Sequence, residues 1–132
     1  MAVAVTNTSL TAYGTEAALT ANAATSTTAN KTEVFTITPT RPSSKMLIML
    51  GPIAATEGAV AWSIAAGADN HFGSGAADTG SIAQNTTEVI VIDTARHLSS
   101  TGTIPITFTP ATGKKLATDH KLKVSVVELP FV

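Results

Sequence analysis

The chain has 132 residues, of which Thr and Ala supply 45; charged residues make up 13 %, cysteine is absent and the formal net charge is −1. That length suits one domain with one core, since a domain of about 150 residues buries roughly 68–70 % of its extended-chain surface without disulfide or metal. A near-neutral balance gives no field to gather nucleic acid or an anionic membrane, and the lack of cysteine excludes thiol catalysis. The dense set of acids, bases and nucleophiles that catalysis requires is missing. This composition points away from an enzyme and toward a β-rich structural or interaction module with no cofactor.

Residues 1–31 differ from the rest. Val3 and Val5 alternate with Ala2 and Ala4, which predicts a short strand over 2–6, and no basic n-region or apolar h-region marks a secretory signal. The stretch 15–30 (TEAALTANAATSTTAN) is small and polar, with Leu19 its sole large apolar residue. Glu16, Ala17, Ala18 and Leu19 predict one helical turn capped by Thr15, and the Thr-Ser-Thr-Thr tract at 25–28 argues for extended chain. Residues 1–31 therefore read as an N-terminal arm or loosely packed lead-in that orders against a neighbour, and 32–132 as the body.

From Lys31 onward a period of two dominates. Residues 32–38 (TEVFTIT) read as a strand ended by Pro39, and 45–50 (KMLIML), apolar on both faces, as a central strand stopped by Gly51-Pro52. Over 59–65, Val60, Trp62 and Ile64 alternate with small residues, so Trp62 reads as core. A Gly-rich loop at 67–81 follows, with a short strand at 79–83 toward its end. Residues 86–93 (TTEVIVID) form another strand apolar on both faces. In 103–109 (TIPITFT), Ile104, Ile106 and Phe108 share a face, and Pro105 predicts an edge or a bulge. Residues 121–129 (KLKVSVVEL) close the body with Leu122, Val124 and Val126 inward. The expected fold is all-β: a single β-sandwich of jelly-roll or Ig-like type, or a small β-barrel, preceded by an extended arm. The longest apolar run, 46–50, is far short of the roughly 20 residues of a membrane helix.

Few residue groups suggest chemistry. Asp69, Asn70 and His71, with Asp78 seven positions on, offer oxygens and a nitrogen, but the spacing matches no calcium loop and zinc needs a third His or Cys. These read as turn residues. Asp93, Arg96, His97 and Ser99-Ser100 suggest a triad only by proximity, without a nucleophile elbow, so a charged strand end is preferred. Gly73-Ser74-Gly75 lacks the Lys and helix of a phosphate loop. Lys114, Lys115, His120 and Lys121 make a basic hairpin without the aromatic partners of a nucleic-acid module. A surface this poor in charge is comfortable when partners cover it.

The Ala/Thr-rich arm of residues 1–31, the charge-poor β body and the apolar tail Leu129-Pro130-Phe131-Val132 resemble the small structural proteins of tailed-phage virions, above all head decoration or cement proteins. The resemblance is one of layout and composition. It implies a β body seated on the lattice of the major capsid protein, a homo-oligomer with a trimer favoured, and a place on the virion surface after synthesis in the host cytoplasm. It further implies that the arm adds to the capsid protein's sheets, with Ala2, Val3, Ala4, Val5, Thr6 and Leu19 as contact residues. A carbohydrate- or cell-surface-binding domain of a tail fibre or adhesin, using the 67–81 loop and Trp62, is the alternative.

Overall fold

The computed structural model describes residues 2–41, 45–68 and 76–130. Ten strands form two sheets: β1 (Ala2–Ala4), β2 (Thr8–Ser9), β3 (Asn22–Ala23), β4 (Glu33–Ile37), β5 (Lys45–Leu50), β6 (Val60–Ile64), β7 (Asp78–Ile82), β8 (Glu88–Asp93), β9 (Ile104–Thr109) and β10 (Lys123–Glu128). The first sheet runs β1-β4-β9-β6-β7, and the second β2-β10-β5-β8, with β3 also on β10. Two pairs are parallel, β1 with β4 and β2 with β10; the others are antiparallel. The fold is a β-sandwich. The two sheets remain separate, so the barrel alternative is set aside.

The core is the sum of the inward faces that period-two patterning marks. Phe35, Ile37, Ile104, Ile106 and Phe108 from one sheet meet Met46, Ile48, Leu50, Val124 and Val126 from the other, all fully buried. Phe35 and Phe108 pack edge to face at a centroid separation of 5.0 Å, the arrangement their ring quadrupoles favour. With so few aromatics, β-branched aliphatics fill most of the remaining volume.

Four expectations change. Strand β9 is internal, between β4 and β6, despite Pro105. Its pairing with β6 ends at Ile106, whereas pairing with β4 continues to Ile104, so Pro105 stands where the strand has a single neighbour and its missing N–H breaks no second ladder. Strand β8 is apolar on both faces yet lies at a sheet edge, with Val89 and Val91 more than half exposed. No helical turn forms over 16–19; Thr15 donates its hydroxyl back to the Ala12 carbonyl instead of capping forward. Trp62 is half-buried, packed on the margin of the core and lying over Gly80 of β7.

That last contact explains a glycine in the middle of a strand. A Cβ at position 80 would stand 2.6 Å from Cζ2 of Trp62, closer than packed carbons approach. Gly80→Ala is therefore expected to tilt the indole and lower stability by about 1–3 kcal/mol, the usual range for overpacking. Chemical denaturation measures the loss, and a shifted Trp emission maximum in the folded variant identifies the indole as its cause.

Candidate interaction surface

Residues 2–26, nearly devoid of large side chains, attach to both sheets mainly through backbone. Ala2, Val3 and Ala4 pair in register with Val34, Phe35 and Thr36, and the Val5 N–H reaches the Thr36 carbonyl at 3.0 Å. Val3 and Val5 turn half-buried toward the core, while Ala2, Ala4 and Thr6 face out. The chain then crosses to the second sheet, where Thr8 and Ser9 pair with Val127 and Glu128, and the Leu10 N–H bonds the Glu128 carbonyl. Residues 11–21 form an exposed loop carrying Tyr13, 80 % exposed, and Leu19, 50 % exposed. The chain returns as β3 against the start of β10.

Three buried polar side chains fasten this segment. Asn22 works as an amide clamp: its Oδ1 accepts from the Thr6 N–H at 2.8 Å, and its Nδ2 donates to the carbonyls of Thr6 and of Val124, the latter at 3.0 Å. Glu33, wholly buried, accepts from the backbone N–H groups of Thr25 and Ser26 and from the Thr25 hydroxyl. Glu128, also wholly buried, accepts from the Ser9 hydroxyl and from the backbone N–H and hydroxyl of Thr40. A carboxylate taken out of water is tolerated only when such donors replace its hydration. Sequence reasoning passed over these residues, although a signal existed. Glu33 shares its strand face with Phe35 and Ile37, and Glu128 shares its face with Val124 and Val126.

Of the six residues expected to contact a partner, Ala2–Ala4 and Val5 are thus docked on the chain's own sheet, Thr6 is tied to Asn22, and Leu19 projects from the loop. They do not form one patch. Apart from them lies a cleft of about 650 Å³, lined by Ala23, Ala24, Ile53 and Leu122 together with Lys121 and Lys123. One side of it is a π-helical turn, Leu116–His120, closed by the left-handed Lys121. Small side chains make this concavity, and its chemistry suits an apolar group beside an acid.

The titratable residues near possible chemistry are used inside the fold. The ring of His97 is buried between the Ala65 carbonyl, 3.0 Å from Nδ1, and the Asp78 carboxylate, 2.9 Å from Nε2. Both ring nitrogens are thus engaged by oxygens of the fold; Asp93 caps the short helix α1 (Thr94–His97) through the Ala95 N–H. Asp69, Asn70 and His71, with Gly73-Ser74-Gly75, lie outside the described residues. No cluster of three metal-ligating side chains occurs among the described residues. Lys114 pairs with Glu57 at 2.5 Å, and this hydrogen bond, reinforced by charge attraction, lowers the Glu57 pKa and raises that of Lys114. His120 is buried, not part of a basic face: its Nε2 accepts from the Ala111 N–H, and desolvation pushes its pKa below the ordinary imidazole value.

Comparison with known protein families, with curated proteins and with solved structures finds no match to this chain.

Two outcomes follow from this geometry. Asn22→Ala removes bonds to two separate backbone segments and leaves the Val124 carbonyl without its amide donor, so a loss of about 2–3 kcal/mol is expected in denaturant melts. Because folded His120 resists protonation, the unfolded chain takes up the proton more readily. Its share of stability is complete above the free-imidazole value of 6.5 and declines as pH falls below it. Thermal melts between about pH 7.5 and pH 5.5 should therefore fall more steeply for the parent chain than for His120→Gln, whose amide oxygen can still accept from Ala111.

Proposed function

We propose that the chain is a structural accessory protein of a tailed-phage head, seated on the major capsid protein lattice as a decoration or cement protein. The observation that carries this reading is how residues 2–26 attach. They add as strands to existing sheet edges, at β1 on β4 and at β2 and β3 on β10. Backbone hydrogen bonds supply the affinity in such additions, and Ala, Val, Thr and Ser side chains demand little of the surface beneath. The loop of residues 11–21 offers first contact, with Tyr13 and Leu19 as its apolar anchors. A separate cleft, lined in part by Lys121 and Lys123, takes an apolar side chain flanked by a carboxylate.

Attachment to a repetitive lattice also rewards self-association, because several weak contacts held in one assembly act at high effective concentration. A homo-oligomer on the virion surface is part of the proposal.

The test is cosedimentation of the purified chain with parent-phage heads stripped of accessory proteins. The parent chain is expected to pellet with the heads. The exposed double variant Tyr13→Ala/Leu19→Ala should fold normally yet bind about tenfold or more weakly, the equivalent of about 1.4 kcal/mol of lost apolar burial. Failure of the parent chain to pellet overturns the capsid reading, and undiminished binding by the variant removes the loop from the contact.

A further inference from the structure

We infer that β8 is the contact between two copies of this chain, which pair antiparallel along it about a two-fold axis through Ile90. Strand β8 is at the end of its sheet, and among the described residues its one strand partner is β5. The other terminal strands are shorter: β1 has three residues, β2 two and β7 five. By contrast β8 pairs with β5 through six consecutive positions without a bulge.

An edge of this kind is ordinarily blunted by proline, a bulge or a mid-strand lysine. The sequence EVIVID has none of these, and its charges fall at its two ends. Val89 and Val91 are 55 % and 58 % exposed on the outer face. In register they stand beside Met49 and Leu47, which stand beside Ser125 and Val127, so the outer face carries two cross-strand rows that stop at the open edge. A second sheet continued from that edge would extend both rows.

Charge and register select the second copy and its direction. With Ile90 at the axis, Val89 faces Val91 of the second copy, Glu88 faces Ile92, and Asp93 faces Thr87; residues opposite each other keep the same face. No acid is set against an acid. A parallel arrangement in register would place Glu88 against Glu88 and Asp93 against Asp93. The antiparallel one sets Glu88 opposite Ile92, leaving Asp93 of the second copy diagonal to it and on the other face of the sheet. Asp93 is engaged within its own chain by the Ala95 N–H and faces Lys45 across β5. A chain of net charge −1 adds little long-range repulsion.

This dimer is independent of the capsid reading, since a chain that ignores phage heads can still pair through β8. Sedimentation velocity of the full chain up to about 100 µM should show a species of twice the 13.4 kDa chain. Val91→Lys, at an exposed position, should keep the circular dichroism and melting temperature while weakening the dimer at least about tenfold, because each lysine meets a valine pair. The cysteine-free chain also permits a register test. An equimolar mixture of Val89→Cys and Val91→Cys should cross-link under mild oxidation, and either variant alone should cross-link far less. A monomer at the highest concentration, an oligomer indifferent to Val91→Lys, or equal cross-linking of the single variants would each overturn the proposal.

Discussion

Two buried carboxylates set the terms on which the rest of this sandwich holds together. Glu33 and Glu128 stand on core-facing positions at the start of β4 and the end of β10, and each is wholly buried. Charge in such a place is bearable when hydrogen-bond donors surround it, and costs several kcal/mol when they leave. The donors come from residues distant in sequence: Thr25 and Ser26 for Glu33, Ser9 and Thr40 for Glu128. The consequence reaches the whole N-terminal segment. Apolar contact, from Val3 and Val5, provides a little of its hold; backbone pairing and the need of these acids for partners provide the rest.

This changes the meaning of the Thr-rich arm. A hydroxyl on a stiff, β-branched side chain can donate to a carboxylate without losing much rotamer freedom, which is the use that Thr25 of the arm finds here, as Thr40 does in the body. Composition distinguishes residues 1–31 from the body, yet residues 2–26 complete both sheets of that body. If the arm engages a lattice, two routes are open. It can present the exposed loop while its strands remain in place, or it can exchange strands with a neighbour that supplies equivalent donors to Glu33 and Glu128. A bare departure of the arm would remove the Thr25 and Ser26 donors from Glu33 and the Ser9 donor from Glu128.

The body was legible because period-two alternation leaves a clear mark wherever one face of a strand is buried. Phe35 with Ile37, Ile104 with Ile106 and Phe108, and Val124 with Val126 all take the inward places that their spacing assigns. Legibility failed where alternation gives no information. Strand β8 has the same apolar-on-both-faces pattern as β5, but β5 is covered on both flanks and β8 on one, and no local pattern distinguishes them. Pro105 misled for a related reason: its cost depends on where the neighbouring strand stops, and that is a property of β6. The polar clamps were legible in part. Parity exposes Glu33 and Glu128 as acids on a core face, but their donors lie from 7 to 119 residues away. Asn22 in a featureless tract gives no such sign.

Strand order then shows why the two flanks of the sandwich differ. At one flank, β1 closes the first sheet while β2 and β3 close the second against β10, so a single folded-back segment occupies the edges there. At the other, β7 and β8 end their sheets. The chain therefore spends its small-residue segment protecting the flank that contains the buried acids and leaves a long apolar edge at the opposite side. Open edges without blunting residues are an aggregation hazard, tolerated where a specific partner occupies them. A parallel pairing in register sets the acids at the ends of β8 directly opposite each other, whereas the two-fold antiparallel one leaves them diagonal and on opposite faces. Closure by symmetry, in which each β8 edge is consumed by its mate, removes the hazard without any additional residues.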